Sequence, residues 1–286
     1  MKTNKTDNIV DESEGRARIL FGWQLKLVAS VAFIWSLFQL WYASPLPFMV
    51  GFGVFIDVPA RAIHLGFGLF LAFLLFPFHK KNRSKKINAL NFLLSIVAFF
   101  VTFYLFYNYE SLVDRNGVLL KHPISLFGNE FFFPTELIIG GVGILLLLEA
   151  TRRAIGIPLV IVASIFLIYS IFGQSMPLMI SHQGLSLTRL VGYHWFGGEA
   201  IFGIPISVSV SFVFLFVLFG SMLDFAGGGK YFLDLAIALV GKFRGGPAKA
   251  SIMASGLTGM ISGSSIANVV TTGTFTIPIM KKTGFP

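Results

Sequence analysis

The sequence predicts an all-α membrane protein with about six transmembrane helices, one cytoplasmic amphipathic helix and one re-entrant helical hairpin. Three observations carry that prediction. The 286 residues are 55% hydrophobic and only 12% charged, about half the charge of a typical soluble domain, which is roughly 25%. Apolar runs long enough to cross a bilayer recur along most of the chain. Near its end, one such run is interrupted by a crowd of hydroxyls and an amide, "SGSSIANVVTTGTF" over residues 262–275.

The elements follow in order. The opening segment, "MKTNKTDNIVDESEGRARIL", mixes acids with bases. It has no apolar stretch ahead of a small-residue cleavage site, so a polar tail is expected rather than a cleaved signal peptide. A spanning helix needs about 20 mostly apolar residues, with roughly 17 as the lower limit. Segments near 27–43, 62–78, 89–107, 135–150, 155–173 and 204–223 fit that demand. Helices are expected because lipid-exposed backbone must satisfy its own hydrogen bonds, and the segments lack the alternation of barrel strands.

Cations concentrate on one set of connections, and cytoplasmic loops carry the excess of Lys and Arg. With the N-terminus cytoplasmic, sixteen fall inside: those of the tail through Lys26, the "HKKNRSKK" loop, Arg152, Arg153, Lys230, Lys242, Arg244 and Lys249. The opposite connections hold Arg61, Arg115, Lys121 and Arg189. Trp41, Tyr42, Tyr107, Tyr109, Tyr193 and Trp195 fall near the outer ends of the spans, where amphipathic rings favour the interface. After the sixth span, "GGGKYFLDLAIALVGKFRGG" places Phe232, Leu235, Ala236, Leu239 and Val240 at helical spacing between glycines. It reads as a short amphipathic helix near the cytoplasmic face.

From Ala250 to Met280, 31 residues separate Lys249 from Lys281 and Lys282. One straight span would put the last two lysines outside, whereas a hairpin over about 250–280 returns them to the cytoplasm. Arms of about 12 residues reach about 18 Å, a little over half of a roughly 30 Å hydrocarbon core. The turn, expected between Gly259 and Gly273, then lies where the hydroxyls concentrate. Broken helices at that depth line cavities, and their free carbonyls and side-chain oxygens hold cations while helix starts attract anions. Ser262, Ser264, Ser265, Asn268, Thr271 and Thr272 supply neutral oxygens, which suit Na⁺ better than a divalent ion. The competing reading is that Ser, Thr, Gly and Asn merely let membrane helices pack closely.

Other chemistries are disfavoured. His64, His79, His122, His182 and His194 show no metal-ligand spacing, there are no cysteines and no Walker sequence. The net charge of +9 is dispersed between apolar runs, unlike the clustered basic face of a nucleic-acid binder. No nucleophile and base stand together, so an enzyme is not expected. Asp57 and Arg61, four apart, are expected to pair at a helix entrance. Glu136 and Glu149 are expected to cap the fourth span within reach of the headgroups, and Asp224 to order the turn after the sixth. Gly140 to Gly143 are expected to serve helix packing.

The stretch "DFAGGGKYFLDLAIALVGKFRGGPAKASIMASGLTGMISGSSIANVVTTGTFTIPIMKKTGFP" resembles the large membrane subunit of tripartite ATP-independent periplasmic (TRAP) transporters. It looks closest to the fused permeases that work with TAXI-type binding proteins. The resemblance implies small-subunit-like scaffold helices through residue 134 and the start of a large-subunit-like transport domain over 135–286. It implies Na⁺-coupled uptake of small organic anions, carboxylates among them, across a bacterial or archaeal inner membrane, with a periplasmic binding protein as partner. At the hairpin tip it implies a Na⁺ site at Ser262, Ser264, Ser265 and Asn268, with Gly263, Thr271 and Thr272 beside it. That family has a second broken hairpin later in its large subunit, so transport is expected to need the remaining part of that domain beyond Pro286. The alternative is a membrane scaffold or assembly subunit that does not itself transport.

Overall fold

The computed structural model describes residues 17–18, 20–78, 87–115, 118–126, 129–260 and 265–284. Residues 1–16 of the polar tail and the basic loop 79–86 lie outside them. The described residues are helical apart from connections and one small ribbon. Helix α1 is Trp23–Ala43, α2 Leu46–Val50, α3 Asp57–Leu75 and α4 Ala89–Asp114. Strands β1 (His122–Leu126) and β2 (Asn129–Phe133) follow, then α5 (Thr135–Ala154), α6 (Ile157–Ile171) and α7 (Leu187–Val191), which continues as a π turn over Gly192–Phe196. Next come α8 (Ile204–Val208), a second π turn (Ser209–Val213), α9 (Phe214–Phe225), α10 (Gly228–Val240), α11 (Gly246–Gly259) and α12 (Ser265–Lys282).

All six expected spans fall on helix. Four are long and apolar enough to cross a membrane: α1, α3, α4 and the continuous segment Ile204–Leu223. The other two need correction. Helix α5 has 20 residues but carries Glu136, Glu149, Arg152 and Arg153 at its ends, and α6 has only 15. The ribbon was not expected. Its strands pair antiparallel, with His122 opposite Phe133 and Leu126 opposite Asn129.

Two compact units divide the chain at Ser211 and Phe212. In the first, α3 is the most enclosed helix. Its small residues permit this: Ala60 and Ala62 are fully buried, and a side chain at Gly66 would meet Thr102 Oγ1 of α4 at 2.6 Å. Where lipid is as apolar as leucine, such close backbone approach holds helices together. Helix α5 packs on both α3 and α4 and presents Gly140 and Gly143 to the π turn after α7. Val191, Phe196 and Trp195 occupy the hollow these glycines leave.

Trp195 therefore departs from expectation. It is 0% exposed and stands edge-on to Phe202, a core residue rather than an interfacial ring. Its neighbour Tyr193 is the exposed member of the pair. Glu136 is a second correction: instead of reaching headgroups, it is 0% exposed. Its carboxylate accepts from Arg115 Nη2 (2.8 Å) and Nη1 (3.1 Å), the Leu120 backbone N–H (2.6 Å) and the Tyr104 hydroxyl (3.1 Å). Burial of a carboxylate is tolerable when paired and hydrogen-bonded in this way. At the other end of α5, Glu149 accepts from Arg152 Nε and Arg153 Nε, both at 2.7 Å, and Arg153 also donates to Asn91 Oδ1 at 2.8 Å. The Asp57–Arg61 pair forms as expected at 3.1 Å, and Arg61 Nη1 also donates to the Phe202 carbonyl at 2.8 Å.

One polar cluster had no sequence signal. His64 Nδ1 accepts from Trp35 Nε1 (3.2 Å) and Gln39 Nε2 (2.8 Å), so its lone pair lies on Nδ1. Its proton then sits on Nε2 and is donated to Ser209 Oγ at 3.0 Å. Gln39 also donates to the Val210 carbonyl at 3.3 Å. A neutral imidazole thus joins α1, α3 and the second π turn, a structural use of histidine.

Candidate functional site

The unit from Phe212 onward is built around three helices, α10, α11 and α12. Glycines separate them: Gly227 and Gly245 have φ of +92° and +72°, a left-handed backbone that L side chains rarely adopt. Leu233 and Ala236 of α10 pack on Ala250 and Ala254 of α11, with Ile237 and Val240 beside them. Part of the expected amphipathic stripe is therefore displaced, since Leu235 and Leu239 are exposed while Leu233 takes the inner position. The physical reason is the small-residue face of α11, which draws the nearest ridge of α10 onto it.

Helix α11 ends at Gly259 and α12 begins at Ser265. The Asn268 Nδ2 group donates to the Ser255 carbonyl at 3.0 Å and to Ser255 Oγ at 3.2 Å. In an unbroken helix those residues, 13 apart, would lie about 20 Å from each other. The chain therefore doubles back between them, and 250–280 is a helical hairpin rather than one rod. Its arms are longer than expected, 14 and 18 residues or about 21 and 27 Å.

The tip is correspondingly narrower. Thr271, Thr272 and Gly273 lie inside α12, not in the turn. Two of the hydroxyls are satisfied within the helix: Thr272 Oγ1 donates to the Asn268 carbonyl at 2.7 Å and Thr276 Oγ1 to the Thr272 carbonyl at 2.8 Å. Bonds from Ser or Thr to the preceding turn let these residues lie within membrane helices. Thr258 Oγ1 does the same in α11, donating to the Ala254 carbonyl at 2.8 Å.

Of the expected site residues, Ser262, Gly263 and Ser264 lie outside the described residues, as do the side chains of Ser265, Thr271 and Asp224. Asn268 and Thr272 are described. Thr272 is buried with its proton already donated. Asn268 is the more informative. Its amide hydrogens are anchored on Ser255, whereas Oδ1 is buried and accepts no hydrogen bond from the described residues. Gly259 lies against it, where a side chain would meet Nδ2 at 3.3 Å. A buried amide oxygen without a donor costs about 1–3 kcal/mol unless something else satisfies it. Ser255 was missed in the sequence because it precedes the hydroxyl cluster, and only the fold brings it to Asn268.

Among the described residues no group of three or more His, Asp and Glu could hold a metal ion. An apolar groove of about 440 Å³ between Val97, Phe100, Tyr104 and Ile139 lies in the first unit, and its lining carries no charged side chain.

Comparison with known proteins agrees with the later part of the chain. Residues 142–286 match the family described as the tripartite ATP-independent periplasmic transporter, DctM component. The C4-dicarboxylate TRAP transporter large permease protein DctM of Rhodobacter capsulatus is 39% identical over 71 residues, 25% of this chain and 16% of that protein. The protein of the same description from Vibrio cholerae is 30% identical over 147 residues, 50% of this chain and 29% of its own length. An uncharacterised Salmonella typhimurium protein, YgiK, is 28% identical over 156 residues, 54% and 31% of the two chains. The chain thus spans about a third or less of these curated relatives. No solved structure matches it.

Proposed function

The chain belongs to the family of the DctM component of tripartite ATP-independent periplasmic transporters, and from that premise we propose that it forms part of a Na⁺-coupled permease for small organic anions. In this reading it is a TRAP permease segment of the inner membrane, with its N-terminus cytoplasmic. It works with the remaining part of the large permease domain and an extracytoplasmic binding protein of the TAXI type. The α11–α12 hairpin enters the bilayer from the cytoplasmic side, and its tip contributes to the transport site. The substrate class, small carboxylates, is supported by two relatives described as C4-dicarboxylate permeases.

The observation that carries the proposal is Asn268 Oδ1, a buried carbonyl-type oxygen without a partner among the described residues, beside the break between two helices. Its fit to Na⁺ is chemical. The oxygen is neutral, it is held in place by the bonds its own amide makes to Ser255, and the serines and threonines of the tip add more oxygens of the same kind. A Na⁺ ion carried with substrate would be held by Asn268 together with Ser262, Ser264 and Ser265. Gly263, Thr271 and Thr272 would complete the surroundings of ion and anion. The positive ends of broken helices are suited to an anionic group.

The scaffold reading keeps one observation of its own: the Asn268–Ser255 bonds are also what helix packing alone would use. Asn268→Ala separates the two. In the complete transporter reconstituted with its binding protein, the variant is expected to need at least about tenfold more Na⁺ for half-maximal uptake, the loss of about 1.4 kcal/mol of ion binding. Ser255→Ala removes one anchor of the amide, and its effect on Na⁺ dependence should be smaller. Unaltered Na⁺ dependence in Asn268→Ala, with the protein folded, would leave only the packing role.

A further inference from the structure

Helix α6 is apolar but shorter than a hydrocarbon layer is thick. Its 15 residues extend about 22 Å against a hydrocarbon core of about 30 Å, and any tilt shortens that reach further. Helix α5, to which it is joined through Ile155 and Gly156, has 20 residues. Starting from their common end beside Arg152 and Arg153, α6 therefore stops about 7 Å before the level that α5 attains. The chain that continues from this end is not α-helical until Leu187. It carries Pro177, Leu178, Met179 and Ile180 at its tip, with Leu178 and Met179 95% and 97% exposed.

Part of the loop's backbone is also closed on itself, at the base and on both sides of its tip. The Gly173 and Ser170 carbonyls accept from the N–H groups of His182 (3.1 Å) and Leu185 (2.8 Å), and Pro177 from Ile180 (2.9 Å). Side chains take up others: the Tyr169 hydroxyl donates to the Ile180 carbonyl, Gln174 Nε2 to Gln183 (2.8 Å) and Ser181 Oγ to Leu178 (3.3 Å). His182 Nδ1 accepts from the Gly184 N–H at 3.1 Å, so its proton lies on Nε2 and goes to the Tyr169 carbonyl at 3.1 Å. Gly173 has no side chain because one would overlap the His182 ring. A loop in water has no need to satisfy its carbonyls internally, whereas backbone near hydrocarbon does. No Asp, Glu, Lys or Arg occurs from Gln174 to Gln183.

We infer that residues 176–181 insert into the lipid leaflet on the side away from Arg152 and Arg153, with Leu178 and Met179 at the boundary between acyl chains and headgroups. The occupant of this exposed apolar tip is lipid, because the short helix delivers it below the membrane surface. Amphipathic elements that anchor at that boundary bury their apolar face by about 5–10 Å, which matches the depth at which α6 ends.

The chain has no cysteine, so an environment-sensitive fluorophore can be placed on it at Met179→Cys, at Phe166→Cys in the middle of α6, and at Lys121→Cys in a polar connection. The labelled full-length permease is reconstituted in phosphatidylcholine–phosphatidylglycerol vesicles without its binding protein. At residue 179, quenching by aqueous iodide is expected to be several-fold weaker than at 121 and comparable to that at 166. Lipids with a doxyl group near the headgroup should quench 179 more strongly than lipids carrying it deep on the acyl chain, with the reverse order at 166. Iodide quenching at 179 equal to that at 121 overturns the inference, and reads the tip as a water-exposed surface open to a protein partner.

Discussion

Glu136→Ala should be among the most destabilising single substitutions in the first unit. The carboxylate is the acceptor for four donors, two from Arg115, one from the Leu120 backbone and one from Tyr104. These come from three separate places: α4, the residue that ends it, and the connection towards the ribbon. Truncation removes the shared acceptor and strands a guanidinium and a backbone N–H, so a loss of about 3–5 kcal/mol is expected. Arg115 is 22% exposed at its side chain and can recover some hydration, which favours the lower end. Denaturation of the reconstituted or detergent-purified protein measures this, and a double-mutant cycle with Arg115→Ala isolates the pair. Arg115→Ala by itself leaves the carboxylate buried with only neutral donors, so the double variant should be less damaged than the sum of the singles. Additive losses would mean the pair contributes no mutual energy and that burial of Glu136 has another cause.

Adjacent glycines on α5 should respond with opposite sign. A methyl group at Gly143 would overlap the Trp195 indole, and one at Gly140 would meet Phe196 at 2.8 Å and Val191 closer still. At Gly141 nothing lies within 4 Å. Gly143→Ala is therefore expected to cost about 1–3 kcal/mol by overpacking, and Gly143→Val more. Gly141→Ala should be neutral or stabilising by up to about 1 kcal/mol, because alanine is the better helix former. The same denaturation series checks both. Equal effects at 141 and 143 would contradict the placement of Trp195 in the hollow of α5, since propensity alone does not distinguish two neighbouring interior positions of one helix.

Both predictions rest on residues whose partners are remote in sequence, and this marks how far the sequence could be read. The helices were legible because lipid imposes a local rule: about 20 apolar residues must close their own hydrogen bonds whatever their neighbours do. The expected spans near 27–43, 62–78, 89–107 and 204–223 accordingly coincide with helices that can cross a membrane. The hairpin was legible for a related reason. Glycines and hydroxyls inside an apolar run make one continuous span unfavourable, and the lysines at 249, 281 and 282 point to a return. The extent of the break was not legible, because a threonine such as Thr272 can line a turn or return its hydroxyl to the preceding turn of a helix, and its letter suits either outcome.

By itself the sequence determined the membrane class, the approximate limits of the four longest apolar helices, the existence of the hairpin and the family, since all of these depend on composition, spacing and contiguous motifs. Only the tertiary structure decided that Glu136 is enclosed, that Trp195 is core, that His64 joins three segments through its neutral ring, that Ser255 anchors Asn268, and that α6 stops after 15 residues. Burial and pairing are properties of two or more segments meeting. A side chain's own letter and its near neighbours carry no record of what another helix, tens of residues away, will place against it.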